Sequence, residues 1–134
     1  MDDFKGKVAV ITGAGSGFGR EFARTGAALG MKLVLADIQA DALEQARAEL
    51  EAQGAEVIAR VVDVSDGVQI EALVAATMET FGGVHLLFNN AGIGMAGLIW
   101  ENSVRDWEWT LGVNLWGVIH GVHAFTPLML AAAK

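Results

Sequence analysis

The sequence contains no cysteine and no tyrosine, has one proline in 134 residues, and sets nine basic side chains against sixteen acidic ones. Without cysteine, disulfides and thiolate metal sites are excluded. A formal charge of −7 repels a phosphate backbone, and no basic stripe offsets it, so nucleic acid is not an expected partner. The first residues, MDDFKGKVAV, are acidic and their apolar run is short. They resemble neither a secretory signal nor a membrane span, and a cytoplasmic location is the default expectation. What is plentiful is apolar surface: 53% of the residues are hydrophobic and 17 more are glycine, which suits one modest domain whose elements are covered on both faces.

Along the chain, KVAVIT reads as a buried strand, followed by a helix in which Phe18, Phe22, Thr25 and Leu29 recur at helical spacing until Gly30. KLVLAD is a second strand. ADALEQARAELEAQG is a helix with Leu43, Ala46 and Leu50 facing one way before Gly54. EVIARVVD is a third strand, after which Ser65 is expected to cap a helix that carries Val68, Leu73 and Met78 and stops at Gly82 and Gly83. VHLLFNNAG is a fourth strand running into a loop. Strands that are each reached through a helix imply an α/β fold, a doubly wound parallel sheet of about four strands with helices on both faces. One domain, residues 1–134, is expected, with no linker or repeat.

The last third changes character. Ser103 with Asp106 forms a capping-box-like start, and Trp107, Leu111, Leu115 and Val118 mark one long helix that Pro127 is expected to kink or end. Trp109, Val113, Trp116 and Ile119 occupy its other sides, so it should pack against more than its own sheet.

Chemistry concentrates at ITGAGSGFG, directly after the first strand. Its spacing fails G-x-G-x-x-G, and glycines can serve merely to turn a corner. In a parallel sheet, however, ligands bind beyond the carboxyl ends of the strands, where this loop lies. Gly13 can make the turn, Gly17 can let a pyrophosphate approach the backbone, and Gly19 can let the helix sit close to the sheet. An acid is expected about 20 residues on, at the end of the second strand, to bond both ribose hydroxyls. Asp37 is there. A 2′-phosphate would meet its charge, and neither Ala14 nor Ile38 supplies a cation, so NAD is favoured over NADP.

TGAGSGFG matches T-G-x-x-x-G-x-G, and with DVS at Asp63 to Ser65, NNAG at Asn89 to Gly92 and VNLWG around Asn114 the chain resembles the short-chain dehydrogenases/reductases over essentially its whole length. The resemblance implies a Rossmann-type NAD(P)-binding domain. It places Ser16, Gly17 and Phe18 along the pyrophosphate, Asp37 and Ile38 at the adenosine ribose, and Asp63 with Val64 at the adenine. Asn90, Ala91 and Gly92 would run beneath the nicotinamide ribose. Asn114 resembles the family's helix asparagine, whose local helix distortion helps hold a water in the proton relay. It is the one member of the family's catalytic set in this sequence, because the serine and the Tyr-x-x-x-Lys are missing.

The reading is therefore the cofactor-binding, N-terminal portion of an oxidoreductase moving hydride between nicotinamide and a secondary alcohol or ketone, inactive alone. The alternative is a degenerate relative, a non-catalytic dinucleotide-binding or interaction module. A methyltransferase would share the glycine loop and the acid but has no use for NNAG. An open strand edge and the Trp-rich final helix predict a homo-oligomer.

Other residues read more plainly. His120 and His123 have a spacing compatible with a metal, but no carboxylate pattern accompanies them, and packing is preferred. His85 opens a strand and reads as structural. Trp107 and Trp116 read as core or interface, whereas Trp100 is equally placed to border a substrate. Ser16 lacks a nucleophile elbow. Glu44, Glu49, Glu51 and Glu56 read as a solvated face.

Overall fold

The structure, a computed structural model, describes residues 3–132. Four parallel strands, β1 (Val8–Thr12), β2 (Lys32–Asp37), β3 (Val57–Val61) and β4 (Leu86–Phe88), lie in the order β3-β2-β1-β4. Helices α1 (Gly17–Ala28), α2 (Ala40–Ala52) and α3 (Gly67–Phe81) make the crossovers. The expected doubly wound sheet is what forms. The chain winds outward from β1 through β2 to β3 and then returns past β1 to β4, so the direction of winding reverses between β1 and β4.

Alternation along each strand sorts the core into two layers. Ala9, Ile11, Leu33 and Leu35 face α1 and α2, where Ala23, Leu43, Ala46 and Leu50 meet them. Val8, Val10, Val34 and Ala36 face the other way, onto Ile70, Leu73 and Phe125. Both faces of the sheet are covered, which explains strands that are nearly all apolar. Burying a leucine such as Leu33 or Leu35 contributes about 2 kcal/mol.

Four sequence expectations need correction here. In α1 the buried residues are Gly19, Ala23 and Gly26, while Phe18, Phe22 and Leu29 face outward. Phe22 instead stacks on Phe88 of β4, with ring centroids 4.9 Å apart. The N-cap of α3 is Asp66, not Ser65: its carboxylate accepts from the Val68 amide, whereas the Ser65 amide and hydroxyl both donate to Asp63. Val68 is exposed, and the buried face of α3 is Ile70, Leu73 and Thr77. The acidic face is not wholly solvated, because both oxygens of Glu49 accept from Arg24 at 2.8 Å and tie α2 to α1. That hydrogen bonding holds the Glu49 carboxyl below the usual range.

The final helix starts as expected, with Ser103 and Asp106 forming a reciprocal capping box. It comprises α4 (Val104–Leu111), a π-helical turn (Gly112–Trp116) and α5 (Gly117–Ala132). Pro127 does not end it; the helix runs on to Ala132. The buried stripe is Val113, Gly117, Gly121 and Phe125 rather than Trp107, Leu111, Leu115 and Val118. The reason is close approach. A Cβ on Gly117 would stand 2.6 Å from Val64 Cγ2, and one on Gly121 would stand 2.2 Å from Asn89 Oδ1. The helix is long and apolar enough to cross a membrane by length and composition. Here it lies on the sheet layer, with Phe125 completely buried in the core.

Candidate dinucleotide site

A cleft of about 300 Å³ opens at the carboxyl ends of the strands, over the reversal between β1 and β4. Gly13, Ser16, Gly17 and Phe18 form one wall. Asp37 and Ile38 follow β2, and Asp63 and Val64 follow β3. Asn90, Ala91 and Gly92 follow β4 and close the floor. Residues far apart in sequence thus converge because parallel strands all end on the same side.

Two of the expected site residues lie elsewhere. Gly19 is buried beneath the loop, where a Cβ would come 2.2 Å from the Gly13 carbonyl oxygen. It brings α1 close and does not line the cleft. The Asn114 side chain is taken up by the backbone of Ile93: its amide donates to the Ile93 carbonyl and its oxygen accepts from the Ile93 amide, both at 2.8 Å. Asn114 sits in the π-helical turn, where the Gly117 amide reaches back to the Gly112 carbonyl.

The loop is shaped by conformation and by hydrogen bonds. Gly13 and Gly17 have φ of 65° and 55°, values that cost a side-chain-bearing residue dearly. Ser16 caps α1 without a side-chain bond, so the first amides of the helix have no cap competing for them. The loop is clasped to β4 by Thr12 and Asn90. The Thr12 hydroxyl donates to Phe88 O and accepts from the Asn90 and Ala91 amides at 3.1 and 3.0 Å. The Asn90 side-chain amide in turn donates through Nδ2 to Thr12 O and Gly13 O.

Asp37 is held by two backbone amides. Oδ2 accepts from Gly15 N and Oδ1 from Gln39 N, both at 2.9 Å. Each oxygen keeps a lone pair free for a further donor. Asp63 accepts from Ser65 through Oδ1, which leaves Oδ2 free, and its own amide donates to Gln69. No Lys or Arg lines the cleft among the described residues.

Sequence reasoning missed Gln39, Val62, Ile93, Trp109 and Val113 as cleft residues. Gln39 could have been inferred from the turn that an aspartate forms with the amide two residues on. Trp109 could not, because its position depends on how the helix crosses the sheet. Trp100 is 76% exposed and is not part of the cleft wall. Trp107 is half-buried, and Trp116 is exposed, with its ring tilted against His120 at 6.0 Å. His120 Nδ1 lies 3.1 Å from the Val64 carbonyl oxygen. Among the described residues no cluster of three metal-ligating side chains forms.

The family described as short chain dehydrogenase matches residues 7–134. A dehydrogenase/reductase of CLA biosynthesis from Lactiplantibacillus plantarum is 42% identical over 130 residues, which are 97% of this chain and 46% of that protein. A short-chain dehydrogenase/reductase from Burkholderia phymatum, solved in complex with NAD, superposes with a TM-score of 0.98 at 59% identity, covering all of this chain and 48% of that one. L-Sorbose reductase from Gluconobacter frateurii, solved with NADPH and L-sorbose, gives a TM-score of 0.92 at 34% identity and covers 98% and 51%. The chain spans about half the length of the relatives it matches.

Proposed function

Since this chain belongs to the short-chain dehydrogenase family, we propose that it supplies the dinucleotide-binding part of an oxidoreductase that interconverts a secondary alcohol and a ketone. The observation that carries the proposal is the pairing of an uncapped helix start behind Gly13 and Gly17 with Asp37 at the far end of the same cleft. Free amides and a helix N-terminus suit a pyrophosphate, and a carboxylate with open lone pairs suits a vicinal diol. The residues fit an adenine dinucleotide. When bound, its nicotinamide supplies the hydride chemistry.

In this reading Ser16, Gly17 and Phe18 hold the pyrophosphate, Asp37 and Ile38 the adenosine ribose, and Asp63 and Val64 the adenine edge. Asn90, Ala91 and Gly92 support the nicotinamide ribose. NAD is preferred over NADP, because a 2′-phosphate would face Asp37 across a cleft whose described lining offers no cation. Asn114 acts as a positioning residue. Its side chain fixes the loop at Ile93, and the widened turn leaves backbone carbonyls outside the regular ladder, where one can hold a water for proton transfer. The setting we infer is cytoplasmic, with a small-molecule substrate and neither nucleic acid nor membrane as partner.

A second reading, supported by the same cleft and its helix start, is a module that binds the dinucleotide without turning it over. Both readings predict saturable enhancement of NADH fluorescence on titration with the chain, displaced by NAD and not by S-adenosylmethionine. Failure to bind at millimolar cofactor would sink both. Alcohol-dependent reduction of NAD by a longer polypeptide that joins this chain to a segment carrying the family's Tyr-x-x-x-Lys would exclude the binding-only module. Leu115, Trp116, Ile119 and Val122 expose apolar surface on the final helix, so the same samples are expected to scatter light as an assembly larger than a monomer.

A further inference from the structure

Part of the cleft wall comes from a residue outside TGAGSGFG, DVS, NNAG and VNLWG alike, Trp109 of α4. α4 buries none of its own residues, and its tryptophans are placed differently: Trp107 is half-buried, whereas Trp109 is 57% exposed and borders the cleft. Its neighbours fix which end it borders. Gly112, in the next turn, stands so close to the loop after β3 that a Cβ there would lie 3.4 Å from Ser65 Cβ. Val113, one turn beyond Trp109 on the same helix face, is buried in the core cluster that holds Val62 and Val64. Thr110, on another side of the helix, has its hydroxyl 3.6 Å from Met95 Sδ in the loop after β4. Trp109 therefore stands at the Asp63 and Val64 end of the cleft, away from the end marked by the bonds between Asn114 and Ile93.

Aromatic contacts among the described residues pair Phe18 with Phe22, Phe22 with Phe88 and Trp116 with His120, and none of them takes up the Trp109 ring. A flat π-surface is thus left open beside the Asp63 carboxylate, whose Oδ1 is engaged by Ser65 and whose Oδ2 is free. That combination suits a purine, whose ring can lie against the indole while its exocyclic amine donates to the carboxylate. We propose that Trp109 closes the purine subsite by direct contact with the base, so that the cleft also takes adenine nucleotides lacking nicotinamide, of the ADP-ribose class. The inference rests on the dinucleotide reading above and deepens it with a binding residue that lies outside every motif of the chain.

The test uses the full chain as wild type, W109F, W109A and W100F. ADP-ribose is the probe for the indole, because it carries the base without a nicotinamide that would absorb tryptophan emission. NADH, excited in its own nicotinamide band, reports cofactor binding whether or not Trp109 takes part. ADP-ribose is expected to quench tryptophan emission in wild type and W100F and to leave that of W109F unchanged, since Trp100, Trp107 and Trp116 stand outside the cleft wall. By calorimetry, W109A should bind ADP-ribose about tenfold more weakly than wild type, and W109F, which keeps a smaller ring, within about threefold. Trp109 is exposed, so neither substitution opens a core cavity and both variants are expected to fold. Quenching that survives in W109F overturns the proposal, as does wild-type affinity for ADP-ribose in W109A. So does a wild type that binds NADH and ignores ADP-ribose, which leaves the dinucleotide reading standing. A wild type that binds no NADH ends the dinucleotide reading itself, and the purine subsite falls with it.

Discussion

Helices α1 and α2 lie side by side on one face of the sheet, yet they meet it on opposite terms. α2 presents Leu43, Ala46 and Leu50, the bulky-and-small stripe of an ordinary amphipathic helix. α1 presents Gly19, Ala23 and Gly26 and turns its phenylalanines outward. Side-chain volume keeps α2 at a normal distance. Its absence lets α1 settle low enough for the glycine loop to reach Asn90. The difference teaches that the core does separate work in the two helices: α2 contributes burial, and α1 gives up burial so that a ligand loop can be placed.

Exchanging these roles should break the comparison most visibly. Gly19→Val would drive a side chain into the Gly13 carbonyl and the Asn90 side-chain amide, which are hydrogen-bonded to each other. We expect a loss of about 4 kcal/mol, from overpacking together with a lost hydrogen bond, accompanied by loss of NADH binding. Urea denaturation and NADH fluorescence would measure the two. Leu50→Ala, at a fully buried position on α2, should cost about 3 kcal/mol through the cavity it leaves. Its folded fraction should bind NADH within about twofold of wild type, because α2 places bulk and not the loop. Equal loss of cofactor affinity in both variants would erase the distinction.

The smallest effect lies at the strand ends away from the cleft. His85 Nδ1 accepts from the Val8 amide at 2.9 Å, so the folded state needs the neutral ring. Burial, and then the Lys7 charge, push its pKa below the ordinary 6.5. The unfolded chain therefore binds this proton more readily than the folded one, and the contribution is complete above the unfolded pKa and fades as pH falls below it. Urea midpoints measured between about pH 7.5 and 5.5 should fall in wild type and fall less in His85→Asn. Identical slopes would remove His85 from the account.

Much of the fold could be read in the sequence because strand runs such as KLVLAD and the leucines of α2 obey simple periods. The cleft was readable for a related reason: glycine spacing and an acid at the end of β2 have few other uses. What escaped was close packing. A search for recurring bulky residues finds the wrong side of α1 and of α5, since the contacts there are made by Gly26, Gly117 and Gly121. Asp66 displaced Ser65 as a cap because the Ser65 hydroxyl was already engaged by Asp63. Such competition is decided in three dimensions.

The π-helical turn at Gly112–Trp116 has a geometric corollary for the rod that contains it. One surplus residue in a single coil rotates everything downstream by about 100°. The segment before it lends Trp109 to the rim of the crevice, while the segment after it drives Phe125 into the interior. A straight spindle could not keep both appointments with the same spelling, so the slack coil serves as the universal joint between recognition and cohesion.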